Sequence, residues 1–312
     1  MKAFRVMVNK SLIEAALQVE QETAQEAGTL GFFARTLAQL SLPHSDPKTN
    51  YYERTTGLTT LSIIGKPKIG LPYGSIPRLL LAWICTEAVR TQSPILNIGS
   101  SQSKFLQALG MQNTGYYIKQ LDEQSKRLFS SLISIDYSDD KIFAVDNILI
   151  AKRAVLCWDR TTEKPVWGGQ ITLTKEFYDE ITQNPVPLDL RVMQALKRSP
   201  LAMDIYAWTV YRIFLLRIKK QPFVKIPWEA LQAQFGSGYG SNSKKLTVDN
   251  QKEVEQQGLY DFKRKFLEQL NKVTVFYPEL ANNVESSSDY LMLRPTKLHI
   301  KRADNKPAII QK

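Results

Sequence analysis

The sequence is poor in the side chains that do covalent and metal chemistry. Its 312 residues include two cysteines and two histidines. Cys85 and Cys157 both sit in apolar surroundings, which predicts buried, reduced thiols rather than a disulfide or a nucleophile. His44 and His299 are far apart and lack metal-ligand spacing with the cysteines, so no metal site is predicted. The His-apolar-His pair that a metal-dependent nicking enzyme requires is missing. Asp139 and Asp140 are adjacent carboxylates, but at a turn, where Asp is a turn former. No nucleophile is legibly paired with a base, so neither catalysis nor a cofactor is expected. A glycine-rich stretch at 236–244 (GSGYGSNSK) lacks the spacing of a phosphate loop and reads as a turn between helices. No apolar run is long enough to span a bilayer, and residues 1–10 lack the apolar core of a signal peptide. A cytosolic protein without membrane contact is expected.

Positive charge, by contrast, is abundant. The net formal charge is +11, of which residues 1–70 carry +2, residues 71–160 +2 and residues 161–312 +7. That bias toward the C-terminal half suggests a polyanionic partner there. The length allows two domains, each with its own core.

The organising stretch is 70–90, GLPYGSIPRLLLAWICTEAVR. A Pro-Gly turn leads to Ser75 as helix cap and Pro77 in the first turn, then to a segment apolar on all sides, which predicts a buried core helix. After it come an extended piece (94–98), a short helix (101–109), a turn, an amphipathic helix (115–132) and a hairpin (133–137 with 142–150). That order is the order of a winged helix-turn-helix. A strand at 58–64 is expected to join the hairpin's sheet. Upstream, 10–27 reads as a helix ended by Gly28, and 41–57 as irregular chain.

The order then recurs. A helix at 173–183 capped by Thr174, a linker at 184–187 and a short helix at 188–197 precede a long helix from Ser199-Pro200 to residue 219. An extended piece (223–226), a short helix (227–235), a loop (236–251), an amphipathic helix within 252–273 and a hairpin framed by 274–277 and 290–293 follow. The expected fold is therefore α+β, mostly α, with two tandem winged helix-turn-helix domains, each bearing a small β-hairpin wing. The expected divisions are a helical segment at 1–40, a first domain at 41–160, a second at 161–300 with its boundary in the turn-rich 161–169, and a basic tail at 301–312.

The two amphipathic helices carry the candidate DNA contacts. In the first, Tyr117, Leu121, Leu128 and Leu132 phase toward the core, leaving Tyr116, Lys119, Gln120, Lys126 and Arg127 outward. In the second, Leu259, Phe262, Phe266, Leu270 and Val273 form the core stripe. Gln257, Arg264, Lys265 and Lys272 point away, with Lys263 at the margin. Lys and Arg suit phosphates, and Gln and Arg suit base edges. Lys244 and Lys245 are candidate backbone contacts from the preceding loop.

The string at 70–91, followed by LNIGSSQSKFLQALGMQNTG (96–115) and LDEQSKRLFSSLISI (121–135), resembles the RepA family of plasmid replication initiators. LPHSDP (42–47), RTTGLTTLSII (54–64) and SPLAMDIYAWTVYR (199–212) extend the resemblance to about residues 40–300. It implies binding to repeated double-stranded sites (iterons) at a plasmid origin, opening of the adjacent duplex and recruitment of host helicase and initiator proteins. It also implies self-association between monomer and dimer, in the bacterial cytoplasm. Read from the residues alone, a winged-helix transcriptional regulator remains the main alternative. A phosphate-handling enzyme using the 236–244 loop and an interaction module using the 10–27 helix are weaker ones.

Overall fold

The structure, a computed structural model, describes residues 10–21, 24–39, 41–99, 101–139, 141–159, 166–236 and 251–300. Lys244, Lys245, the tail at 301–312 and most of the turn-rich 161–169 stretch lie outside the described residues.

Helix α1 (Lys10–Gln21) is shorter than expected. A turn over 24–28 follows, in which Gly28 takes φ 64° and its N–H reaches the Gln25 carbonyl at 3.2 Å. Strand β1 (Leu30–Ala34) and short helix α2 (Arg35–Gln39) come next. Strands β2 (Tyr51–Thr56) and β3 (Thr59–Ile64) form a hairpin through Gly57, at φ 61°. The irregular reading of 41–57 is thus corrected at its end. Aromatic and β-branched residues in YYERTT alternate in exposure and pair fully with β3, whereas the prolines at 43 and 47 lie upstream.

The core helix is α3 (Ser75–Thr91). Ser75 is not its cap: Gly74, at φ 77°, holds that position, and the Ser75 hydroxyl donates to the Lys197 carbonyl instead. Strand β4 (Ile95–Asn97), helix α4 (Gln102–Ala108, capped by Ser101) and helix α5 (Gly115–Ser130, capped by Thr114) follow. The expected phase of α5 is partly corrected. Leu121 and Leu128 are buried as expected, but Ile118, rather than Tyr117, is the buried residue one turn earlier, and Leu132 belongs to a strand. Buried Gln124 shifts the stripe because its side-chain carbonyl accepts from the Tyr73 N–H at 3.0 Å. Strands β5 (Leu132–Ser138) and β6 (Phe143–Ile148) form the hairpin, and β3 pairs with β5 as anticipated, giving the sheet order β2-β3-β5-β6.

Strands β7 (Ala151–Asp159) and β8 (Val166–Leu173) pair, with a bulge between Ala151 and Arg153. β4 joins this sheet, not that of the hairpin. Helix α6 (Lys175–Gln183) is capped by Thr174 as predicted. The expected linker at 184–187 is instead the start of strand β9 (Pro185–Asp189), antiparallel to β1. Its prolines alternate, so both missing N–H groups fall on one edge, away from β1, while Val186 sits between them and Leu188 follows.

Helix α7 (Leu190–Ala195) and long helix α8 (Pro200–Ile218, capped by Ser199) lead to strand β10 (Val224–Pro227), helix α9 (Trp228–Phe235) and helix α10 (Gln251–Phe276). The strand expected at 274–277 is the end of α10 and the residue after it. Val273, Phe276 and Tyr277 continue the buried helical stripe, so packing overrides the β-branched composition. The hairpin is β11 (Val284–Ser286) with β12 (Tyr290–Leu293), and β10 completes it in the order β10-β12-β11.

Helices hold 47% and strands 25% of the structure, making it a mixed α/β protein with more strand than two small hairpins supply. One buried cluster runs from Phe33 to Leu293, so the halves share a continuous core. At its centre Trp208, Trp228, Phe235 and Phe262 surround Phe266, with ring centroids 5.6–6.2 Å away. Each edge-on or tilted pair adds about 0.5–1.5 kcal/mol beyond its area. Cys85 is fully buried, and burial pushes its thiol well above the usual range, whereas Cys157 is only partly covered.

Candidate nucleic-acid interface

Helix α10 is held by the apolar stripe the sequence predicts: Phe262, Phe266, Leu270 and Val273 are buried and Leu259 is partly so. That orientation turns Gln257 and Arg264 outward, with Lys265 and Lys272 partly exposed beside them. Arg264 reaches Asp261 at 3.5 Å, and Gln257 donates to Asp261 at 3.1 Å. Lys265 and Lys272 converge on Glu268 at 3.0 and 3.2 Å. Partial burial alone would raise the Glu268 carboxyl, but the two ammonium groups outweigh it and hold it below the ordinary carboxylate range. These cations are lightly paired along the helix, and exposed i,i+3 and i,i+4 pairs contribute only a few tenths of a kcal/mol, roughly 0.2–0.5. A phosphate can displace such partners.

Lys263 stands apart. Its Nζ donates to the Ser287 and Ser288 carbonyls at the tip of the β11–β12 hairpin and lies 5.2 Å from the centre of the Trp228 ring. Trp228 Nε1 donates to the same Ser287 carbonyl at 3.2 Å. Lys263 therefore fastens the hairpin against α9 and α10.

On α5, Tyr116 is 68% exposed and Lys119 is exposed, facing Glu123 at 4.0 Å. Gln120 is partly covered. Lys126 pairs with Asp122 at 2.6 Å. Arg127 turns back onto its own protein: it donates to the Leu71 carbonyl at 3.2 Å and lies 5.0 Å over the Tyr73 ring. A Cβ at Gly70 would sit 3.0 Å from the Arg127 guanidinium, so this turn is built around it. The structure thus carries the candidates on two helices, with Lys263 and Arg127 engaged in fastening neighbouring segments. The β5–β6 hairpin ends in exposed Ile142 and Phe143, and Asp139 caps its turn by accepting from the Lys141 and Ile142 N–H groups at 2.8 and 2.7 Å.

Sequence reasoning missed a buried polar cluster joining α3 and α8. Arg78 is 1% exposed and grips Asp204 through two bonds, 2.6 Å to Oδ1 and 2.7 Å to Oδ2. It also donates to the Gly74 and Leu42 carbonyls at 2.6 and 2.7 Å. Ser41 Oγ donates to Asp204 Oδ2 at 2.6 Å, and His44 Nε2 lies 3.0 Å from the same oxygen. Serine and histidine address one carboxylate oxygen together, so His44 does not stand between Ser41 and Asp204 as a proton relay demands. Burial raises the Asp204 carboxyl, yet Arg78 outweighs it and the group is held at about 2; burial lowers the His44 imidazole. The signal was a lone Arg inside an apolar helix and a lone Asp inside another. Among the described residues no group of His, Cys, Asp and Glu is arranged to hold a metal ion, and no helix is long and apolar enough to cross a membrane.

The family profile described as plasmid encoded RepA protein matches residues 71–229, which is 159 of 312 residues, and the chain belongs to that family of plasmid replication initiators. Among solved structures, the crystal structure of RctB domains 2-3 (residues 155–483) is similar in fold, with a TM-score of 0.50 at 11% identity, covering 84% of this chain and 97% of that one. A structure of selenomethionine derivatives of RctB domains 2 and 3 has a TM-score of 0.49 at 11% identity, covering 81% and 94%. No curated protein sequence matches the chain.

Proposed function

We propose that this protein initiates plasmid replication by binding repeated double-stranded sites in the origin through two winged-helix units. The first unit comprises α3, α4, α5 and the β5–β6 hairpin, within residues 41–160. The second comprises α8, α9, α10 and the β10-β12-β11 sheet, within 161–300. The observation that carries the reading is α10: its apolar stripe is buried, its Arg264, Lys265 and Lys272 face away, and Lys263 pins a hairpin beside them. α10 would enter one major groove and α5 another along the same site, with the hairpins against flanking phosphates. Tyr116, Lys119, Gln120 and Lys126 act for α5, and Gln257, Arg264, Lys265 and Lys272 act for α10. Arrayed copies would strain the adjoining duplex until it opens, since bending each site costs on the order of 1–6 kcal/mol. Host helicase and initiator proteins then enter the opened region in the cytoplasm, and self-association sets how many copies are active. The chain itself performs no covalent chemistry in this scheme.

Fluorescence anisotropy on a duplex holding one origin repeat, against a shuffled duplex at about 0.15 M salt, tests it. A preference of about 10³-fold or more is expected. Arg264→Ala should cost about 1–3 kcal/mol and relax the preference at one base position. Equal, steeply salt-dependent binding to both duplexes would overturn the reading. Permanganate footprinting of a supercoiled origin then separates an initiator, which exposes unpaired thymines, from a regulator, which does not.

A further inference from the structure

A cavity of about 250 Å³ lies where the β2–β3 hairpin meets α8 and α9, outside both basic helices described above. Arg54 of β2 and Arg212 of α8 line it, together with Ser41, Thr56, Thr59 and Trp208. Arg54 is held firmly: its Nε donates to the Tyr52 hydroxyl and its Nη1 donates to the Gln232 and Ala233 carbonyls of α9 at 3.3 and 2.8 Å. Arg212 stacks one turn along α8 from Trp208, its guanidinium carbon 5.8 Å from the ring centre.

Neither guanidinium meets a carboxylate among the described residues. The nearby buried carboxylate, Asp204, is already matched by Arg78. Two arginines therefore line one small cavity with no carboxylate against either among the described residues, and burial draws Arg212 below its usual range. A partly desolvated guanidinium without a carboxylate beside it is destabilising unless an anion joins it. We infer that the cavity binds a phosphate dianion, as inorganic phosphate or as the terminal phosphate of a small nucleotide, bridged between Arg54 and Arg212. Guanidinium groups match phosphate oxygens in bidentate geometry. A monoester or inorganic phosphate carries about −1.5 to −2 at neutral pH and balances both arginines, whereas a DNA backbone diester carries one charge and leaves the other unmatched. Thr56 and Thr59 supply hydroxyl donors at the cavity wall. Because Arg54 belongs to a hairpin and Arg212 to a helix of the later half, the ligand would brace the two against each other.

The test uses the full chain and needs no DNA. Thermal melting and isothermal titration would be run with inorganic phosphate and with AMP, against adenosine and sodium chloride at matched ionic strength. Phosphate and AMP should raise Tm saturably, and adenosine and chloride should not. Arg212→Gln should weaken phosphate at least about tenfold, as loss of one charged partner implies, and Arg212→Lys should keep part of the affinity. Circular dichroism checks that both variants fold, and the lysine variant serves if the glutamine variant does not. A phosphate response no larger than that of chloride, or wild-type titration by the folded variants, would overturn the inference. So would a loss of duplex binding in Arg212→Gln by a protein that never bound free phosphate, since that result assigns the cavity to the DNA backbone.

Discussion

Replacing Arg78 by leucine should be among the most damaging single changes in this protein. The side chain volume is roughly kept and the helix propensity is good, so the effect isolates the charge. The substitution removes the two bonds to Asp204, at 2.6 and 2.7 Å, together with donors to the Gly74 and Leu42 carbonyls. Asp204 would remain buried with Ser41 and a neutral His44 as its only polar company in that cluster. Breaking a buried pair from one side costs about 3–5 kcal/mol. The carboxyl gives an independent figure. Held at about 2 against an ordinary 3.8, it binds its proton more weakly in the folded state, which corresponds to a contribution on the order of 2–3 kcal/mol. That contribution is complete above the unfolded value near 3.8 and is lost as pH falls toward 2. In the leucine variant burial is opposed only by Ser41 and His44, so Asp204 rises from its wild-type value and the variant takes up its proton earlier. The gap between wild type and variant should therefore be widest near pH 7 and narrow toward pH 3. Urea midpoints read by tryptophan fluorescence at several pH values measure it. A gap below about 1 kcal/mol at pH 7, the range of an exposed pair, would refute the reasoning, as would a gap that does not change with pH. The double variant Arg78→Leu/Asp204→Leu should recover more than half of the loss, because no buried charge is then left alone.

Phe266→Ala should cost about 3–5 kcal/mol in the same urea assay, since it empties the point where four other aromatic rings meet. Lys263→Met should cost about 1–2 kcal/mol and, in hydrogen exchange, speed the amides of 284–292 while leaving those of the β5–β6 hairpin unchanged.

Much of the architecture was legible because packing and periodicity agree. The α10 stripe from Leu259 to Val273 was readable at helical spacing, and so were the cap at Thr174 and the start of α8 at Ser199, each of which accepts a backbone N–H three residues on. Composition misled where tertiary pairing decides. Pro185 and Pro187 read as a linker, yet their alternation is compatible with an edge strand whose partner lies near residue 30. TVFY at 274–277 reads as a strand, yet its burial follows the helix before it. On the candidate interface, exposure of Tyr116, Lys119 and Arg264 followed from helix phase, but the inward turn of Arg127 and the clasp made by Lys263 did not. Both depend on loops that fold over the helix from elsewhere, Tyr73 in one case and Ser287 in the other. The Arg78–Asp204 pair was invisible for the same reason, with 126 positions between its members.

The pairing of β1 with β9 also bears on how the chain is made. Leu30 meets Asp189, so a strand that leaves the ribosome early has no partner until about 160 further residues have been added. At a synthesis rate of about 5–20 residues per second, that strand waits roughly 8–30 seconds with its edge open. β4 waits in the same way for β8. During that interval the nascent chain offers two unpaired strand edges, and a holding chaperone at the exit site would find its natural target there.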